Sequence, residues 1–194
     1  MQRAFCLTLL LAFGAAPAAA QPTGAPATAA PAAIAIAIEV DNFDATGLPR
    51  WWSPGFDPGE ALAAILADRL GKRPGIHVIV PGQGAAEVAA YRIDGIIVHF
   101  DNAGSPGYLR GPHYEIVDFQ AGMRIVDAGT GREVLKVTDH KSSNGTSFKV
   151  DPPPSDATGR YTDPKFTNSA MGQLLVSSAE SLIGKIDFSK LKRP

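Results

Sequence analysis

The sequence predicts an α+β fold, a two-layer sandwich in which a mostly antiparallel sheet is backed by two helices, in the order β-α-β-(α)-β-β-β-α. Three observations lead to this prediction: a long hairpin of alternating apolar and polar residues, an apolar strand close to residue 36, and two amphipathic helical segments. Alternating strands have one covered face and one solvated face, and the helices would supply the cover.

The hairpin lies between Val117 and Val137. In its first arm, Val117–Asp127, apolar residues occupy every second position, and this period places them on one side of a strand. The turn Asp127–Gly131 (DAGTG) contains two glycines that can adopt positive φ angles. The second arm, Arg132–Val137, alternates in the same way, so we predict two long antiparallel strands.

The residues before the hairpin predict a strand, a helix and two further strands. Ile34–Val40 is apolar on both faces, which is typical of a central strand. Asp57 is the predicted cap of a helix that ends at Gly71, where we expect a left-handed C-cap. Short apolar runs predict strands at Ile76–Val80 and at Arg92–Phe100, and we expect the second of these to be well buried.

The remaining segments are interpreted as loops and helices. Asp41–Pro54, Asp101–Pro112 and Ser142–Pro164 are rich in turn-forming residues, and we interpret all three as loops. Gly84–Tyr91 is compatible with a short helix. Thr167 or Asn168 is the predicted cap of the last helix, whose apolar residues form one stripe.

The first 33 residues predict an exported protein. Residues 1–20 have a positive head, a short apolar run and an A-x-A site, as a secretory signal peptide does. Residues 21–33, mostly alanine and proline, are expected to be a disordered linker. Residues 34–188 would form a single domain and residues 189–194 a basic tail. We therefore expect a periplasmic protein, at most peripheral to the outer membrane, with no transmembrane segment in its mature chain.

The composition disfavours several classes of function. With 18 basic and 19 acidic residues, the chain lacks the basic excess of nucleic-acid-binding modules. The single cysteine, Cys6, lies in the predicted leader, which leaves the mature chain without a disulfide or a thiol nucleophile. The four histidines have no metal-binding spacing, and Gly82–Gly84 lacks the third glycine of a dinucleotide loop. We expect no catalytic residues, no cofactor and no metal site, and therefore no enzyme.

Partner binding is the function that the surface residues predict. The adjacent Trp51 and Trp52 lie in a proline-flanked loop, and tryptophan is common in binding hot spots. Both are hard to bury from one side, so we expect one to cover the core and the other to contact a partner. If the second hairpin arm is an edge strand, its unpaired backbone can accept a partner strand near Val134, between the charged Arg132 and Lys136.

Three stretches of the chain are similar to the curli-assembly (CsgG-type) superfamily of envelope proteins, which also includes the related domains of penicillin-binding-protein activators and the amino-terminal region of TolB. The stretches are Ile36–Gly47 (IAIEVDNFDATG), Tyr91–Val98 (YRIDGIIV) and Met123–Val134 (MRIVDAGTGREV). The resemblance extends from Ala35 to Phe188. It implies an α+β domain that acts in envelope assembly or secretion through contacts with other proteins.

Two departures from the secretion channel of that superfamily favour an accessory module over a pore. No cysteine follows the apolar run, where lipid would be attached, and residues 101–112 and 142–164 are too poor in apolar residues for membrane-spanning hairpins. The leading hypothesis is a non-enzymatic periplasmic module that binds envelope proteins. The alternatives are a ring-forming subunit of an outer-membrane secretion complex, which would be a homo-oligomer, and a small-ligand-binding or hydrolase domain.

Overall fold

The structure of the protein is a computed structural model, which describes residues 36–48, 52, 55–81, 88–104, 115–145 and 159–191. The predicted signal peptide and linker lie outside these residues, as does Trp51.

Five strands form one sheet in the spatial order β2-β1-β3-β4-β5. They are β1 (Ile36–Asp44), β2 (Ile76–Ile79), β3 (Tyr91–Gly104), β4 (Glu115–Asp127) and β5 (Glu133–Gly145). β1 lies inside the sheet and pairs in parallel with β2 and β3 on its two sides. The long pairings of β3 with β4 and of β4 with β5 are antiparallel. The predicted hairpin and the predicted central strand are confirmed.

Helices α1 (Pro58–Gly71), α2 (Pro164–Thr167) and α3 (Ala170–Gly184) form the second layer, and a 3₁₀ turn, Phe188–Lys190, comes after them in the chain. α1 packs on β1 and α3 packs on β5, and the two long helices also contact each other. Their apolar residues form one core with the buried side chains of β1, β3 and β4. The predicted two-layer α+β sandwich is confirmed, and the other face of the sheet has no helix among the described residues.

α1 begins after Asp57 and ends at Gly71, as predicted, but the backbone conformation at its C-terminal end differs from the prediction. Asp57 caps the helix, since its carboxylate accepts hydrogen bonds from the N–H groups of Gly59 at 2.8 Å and Glu60 at 3.0 Å. The predicted left-handed cap at Gly71 is wrong. The helical turn continues past it because the Arg73 N–H donates to the Leu70 carbonyl, and Gly75, with φ of 77°, makes the left-handed turn instead.

Three predicted loops are partly strand. Asp101–Gly104, from the predicted loop Asp101–Pro112, belongs to β3 and pairs with the start of β4. Asp41–Asp44 belongs to β1, where a register shift between Val40 and Phe43 leaves Phe43 only 3% exposed. Ser142–Gly145 belongs to β5 and pairs with the start of β4. Polar residues continue these strands because one side of each faces solvent, where polar side chains need no buried partner.

The burial of β3 is also one-sided, contrary to the prediction of a well-buried strand. Ile93 and Ile97 are buried in the core, whereas Ile96 and Val98 are 48% and 53% exposed. Ile96 and Val98 lie on the side of the sheet that carries no helix in the described ranges. An apolar composition alone does not show whether a strand is covered on both sides or on one side only.

The predictions for the shorter helices need correction. Val88–Ala90 are not helical and Tyr91 begins β3, while the rest of the predicted helix Gly84–Tyr91 lies outside the described residues. The cap of α3 is Ser169, whose hydroxyl accepts from the Gly172 N–H at 3.0 Å, because the preceding residues form the separate helix α2. Leu191, in the segment predicted as a basic tail, is buried.

Gly95 allows the core to close where β1 bends. A Cβ atom at Gly95 would lie 2.5 Å from Cε1 of Phe43 and closer still to two other atoms of that ring. A Cβ atom at Gly122, in the neighbouring strand, would be no nearer than 3.5 Å to any atom. We therefore expect the Phe43 ring to need the absence of a side chain at Gly95.

Gly95→Ala is expected to lower the free energy of unfolding by about 2 kcal/mol, because overpacking a closed core displaces side chains and backbone. Gly122→Ala, the matched control, is expected to be close to neutral. Urea denaturation of both variants measures the difference. Equal stability of the two variants would show that the ring moves away without cost.

Candidate partner-binding edge and open sheet face

The strand β5 forms one edge of the sheet over its full 13 residues. One side pairs with β4 from Glu115 opposite Gly145 to Val126 opposite Glu133. Within the described part of the chain, no strand pairs with the other side. An antiparallel strand directs alternate backbone N–H and C=O groups to each side, so this edge presents a row of hydrogen-bonding groups that the sheet does not use.

Three of the predicted binding residues lie together at the hairpin end of this edge. Val134 is bypassed by the register, since Ile125 pairs with Leu135 and Val126 pairs with Glu133, which marks a β-bulge. Arg132 and Lys136 flank the bulge, and both side chains are exposed. Charged residues and a bulge are the usual means of protecting an edge strand.

The fourth predicted residue, Trp52, lies elsewhere. It is half-buried, packs against the core and stacks on Phe100, with ring centroids 5.2 Å apart and an interplanar angle of 23°. Phe100 pairs with Phe119, which in turn lies opposite Lys141, well along β5 from Val134. Trp52 thus covers the end of the core, as expected of one of the two tryptophans, and the structure does not bring it together with the bulge.

A buried carboxylate that the sequence analysis did not identify joins the edge strand to α3. Asp139 is 5% exposed and accepts hydrogen bonds at Oδ1 from the Ser181 hydroxyl at 2.5 Å and from the Lys185 ammonium at 3.2 Å. The Lys141 ammonium lies 3.8 Å from the same oxygen. Burial alone raises the pKa of Asp139, but the hydrogen bonds from Ser181 and Lys185 outweigh it and hold the pKa below its usual value. The ionised carboxylate therefore fastens α3 to β5.

The Lys185 ammonium also reaches the backbone of the edge. It donates a hydrogen bond to the Thr138 carbonyl at 2.5 Å. The Asp127 N–H donates to the Arg132 carbonyl across the hairpin, so the odd-numbered residues of β4 direct their backbone groups toward β5. Thr138 lies opposite the even-numbered Gly122, and its own backbone groups therefore point away from β4. A lysine that follows α3 thus occupies one outward carbonyl of β5.

The open face of the sheet carries a network of charges near β1. Asp94 accepts hydrogen bonds from Arg92 at 2.7 Å and from Arg124 at 3.0 Å, and Asp41 lies 3.4 Å from Arg92. Burial raises the pKa of Asp94, but the guanidinium groups of Arg92 and Arg124 lower it by more than burial raises it. The pKa of Asp94 therefore lies below its usual value. These ion pairs are solvent-exposed, and pairs of this kind stabilise a fold only modestly.

Further along the open face, two histidines lie on either side of one carboxylate. The His140 Nε2 atom lies 2.5 Å from Asp118 Oδ1, and the His99 Nε2 atom lies 3.6 Å from Asp118 Oδ2. Both histidines lie opposite Gln120 in the register, which brings together residues that are far apart in the chain. Their spacing along the chain does not indicate this cluster. The described residues contain no group of three or more histidine, cysteine, aspartate or glutamate side chains placed to hold a metal ion.

The described residues line two shallow cavities beside the sheet. One, of about 220 Å³, lies between β5 and the start of α3 and is lined by residues that include Lys141, Ser143, Gln173 and Ser177. The other, of about 390 Å³, lies beside β2, where Arg73 stacks over the ring of Phe188 at 5.0 Å. None of the helices in the described ranges is both long enough and apolar enough to span a membrane.

The fold is similar to that of several solved structures. A hypothetical protein from Chlamydia trachomatis superposes with a TM-score of 0.55 at 10% identity, over 80% of this chain and 98% of that chain. The PelC dodecamer from Paraburkholderia phytofirmans gives a TM-score of 0.46 at 13% identity, over 82% and 91% of the two chains. A lipoprotein from Neisseria meningitidis gives 0.41 at 14% identity, over 77% and 99%. The similarity to the chlamydial protein shows a shared fold.

No protein-family model matches the sequence, and no curated protein is significantly similar to it.

Asp139→Asn is expected to lower the free energy of unfolding at neutral pH by about 2 kcal/mol, because it removes the charge that Ser181 and Lys185 surround. The pKa of Asp139 is lower in the folded protein than in the unfolded chain. Its carboxylate therefore stabilises the fold above the ordinary aspartate pKa of about 3.9, and this stabilisation is lost as the pH falls through the folded pKa.

Chemical denaturation of both proteins between neutral and acidic pH tests this expectation. The difference in stability should be largest at neutral pH and should shrink below about pH 4, because the Asp139 carboxylate becomes protonated first in the unfolded chain and only at lower pH in the folded protein. Comparing the two proteins cancels the titration of other groups. A difference that stays constant down to the acidic limit would mean that the charge of Asp139 does not contribute.

Proposed function

We propose that this protein is a non-enzymatic, periplasmic module of the bacterial cell envelope that binds a partner protein by strand addition to β5. The observation that carries the proposal is the 13-residue edge strand, whose outer side pairs with no other strand in the described ranges. The predicted signal peptide supports the periplasmic location, and the resemblance to the CsgG-type superfamily supports a role in assembly.

β5 suits strand addition better than the opposite edge of the sheet. β2 has only 4 residues, so it could offer few backbone hydrogen bonds to a partner. β5 is long, its pairing with β4 is continuous except at the bulge, and α3 covers its inner face. A partner strand could therefore pair with the edge without opening the core, and main-chain hydrogen bonds supply the affinity in complexes of this kind.

The position of Thr138 gives a sharper test than Val134. Val134 lies in the bulge, so a proline there would also disturb the pairing with β4. The Thr138 carbonyl is contacted by Lys185 from outside the ladder, and the N–H of a strand residue points to the same side as its carbonyl. A proline at Thr138 removes an outward N–H, which a sheet tolerates at an edge.

Thr138→Pro is expected to abolish partner binding while the protein remains folded, and Thr138→Val, which keeps the N–H, is expected to bind normally. A photoreactive residue at the exposed Lys136 reports binding in cells that export the protein, and the same residue at Lys72, at the C-terminal end of α1, is the control position. Discrete crosslinked products should form only from the Lys136 position, in the wild-type background and in Thr138→Val but not in Thr138→Pro.

Circular dichroism establishes that each variant is folded. Crosslinks that persist unchanged in folded Thr138→Pro would rule out strand addition at β5. Loss of the crosslinks in Thr138→Val would show that the side chain, and not the backbone, makes the contact.

The mass of the mature chain separates the accessory module from a ring-forming subunit of a secretion complex. We expect residues 21–194 to be a monomer or a dimer by light scattering after size exclusion, because a sheet edge that awaits a partner needs no assembly of its own copies. A large and discrete oligomer would contradict the accessory module and support the ring.

A further inference from the structure

The outer edge of β5 is bordered mainly by positive charge. Arg132 and Lys136 are exposed near the hairpin turn, Lys141 lies further along the strand, and Lys185 reaches the edge from the end of α3. The acidic residues of this border are Glu133, which is exposed, and Asp139, which is buried.

The charge near the middle of the edge is only partly compensated. The ammonium groups of Lys185 and Lys141 lie 3.2 Å and 3.8 Å from the same oxygen of Asp139. Two positive charges thus share one negative charge, and a net positive charge remains where the Thr138 carbonyl faces outward. Both lysine side chains retain solvent exposure, of 46% for Lys185 and 31% for Lys141.

We propose that the segment that adds to β5 is an extended and acidic stretch of a partner polypeptide, an inference that rests on the strand addition proposed above. In the complex, a carboxylate of the incoming strand binds the Lys185 ammonium, and the hydrogen bond from Lys185 to the Thr138 carbonyl is broken. This carbonyl then accepts a hydrogen bond from the incoming backbone, so that one exchange opens the edge and selects the partner.

The surroundings of the edge have room for such side chains. The cavity of about 220 Å³ between β5 and α3 opens beside Lys141 and is otherwise lined partly by the polar Ser143, Gln173 and Ser177. A side chain on the helix-facing side of the incoming strand would enter it. Lys136, on the opposite side of β5, lies across from Arg124 and extends the positive border to the open face.

The same charges disfavour a second copy of this chain as the occupant. Two β5 edges brought together would place these lysines against one another, and like charges across paired strands are destabilising. Lysines on an edge strand are a common protection against self-association. An acidic strand turns that repulsion into attraction, which contributes to specificity and to the rate of association more than to affinity.

Synthetic peptides of glutamate, valine and threonine test the inference on the folded mature protein, with matched peptides in which glutamine or lysine replaces glutamate. Binding is followed by fluorescence anisotropy at low salt and at physiological salt. We expect the glutamate peptide to bind about tenfold more tightly than the glutamine peptide, since each of a few exposed ion pairs contributes modestly to the affinity. The lysine peptide is expected not to bind, and salt should weaken the glutamate complex.

The protein variants locate the site. Lys136→Gln and Lys141→Gln should each lower the affinity for the glutamate peptide several-fold and leave the affinity for the glutamine peptide unchanged. Lys72→Gln, at the end of α1 where the lysine pairs with Asp68, is the control and should change neither. Lys185→Gln should act in the same direction, and its melting temperature is measured because it also removes a bond to Asp139.

Each outcome decides a different point. Equal binding of all three peptides that is lost in Thr138→Pro would overturn the acidic preference and leave strand addition in place. Glutamate-peptide binding that survives Thr138→Pro would be charge attraction without pairing and would contradict strand addition itself. If none of the peptides binds, the inference that β5 binds an acidic segment is overturned. The crosslinking experiment then still decides the proposed function.

Discussion

Every second residue of β4 is buried against the helical layer, and this constraint determines the geometry of the rest of the sheet. Val117, Phe119, Ala121, Met123 and Ile125 are all 3% exposed or less. Burying a large aliphatic or aromatic side chain contributes about 1.5–3 kcal/mol, so a slip of one residue, which would turn all of them to solvent, is strongly disfavoured. The register of β4 with both of its neighbours is therefore fixed.

The properties of β5 follow from that register. Its helix-facing positions include Leu135 and Val137, which are only half-buried, and the buried Asp139. The strand is thus held by its backbone pairing with β4 and by the ionic contact to α3, with less apolar burial than the central strands have. The same register directs the backbone of Thr138 outward and allows Lys185 to reach its carbonyl. Lys185 therefore stabilises the edge strand through Asp139 and also covers one of its outward carbonyls.

The sequence predicted the parts of the fold that depend on local patterns. The period of two in β4 and the cap at Asp57 are properties of neighbouring residues, and both agree with the structure. The bulge at Val134, the continuation of β5 through polar residues and the burial of Asp139 depend on what lies opposite in space. A single aspartate among polar neighbours does not indicate that Ser181 and Lys185, much later in the chain, will surround it. His99 and His140 meet at Asp118 for the same reason, through pairing with a strand that lies between them.

Arg132, Val134 and Lys136 were predicted from the hairpin pattern, and they lie on the edge strand or at its turn. Trp52 was predicted from its residue type, and it covers the core at another place. The sequence did not predict a role for Thr138 or Lys185, because their contact joins elements that are remote in the chain.

Amide hydrogen exchange of the isolated protein, resolved to single residues, tests the central claim most directly. If the outer side of β5 is unpaired, the N–H of Thr138 should exchange much faster than that of Val137, which points toward β4, and this alternation should continue along the strand. Slow exchange of both N–H groups would show that the edge is already covered, and would contradict a strand that awaits a partner.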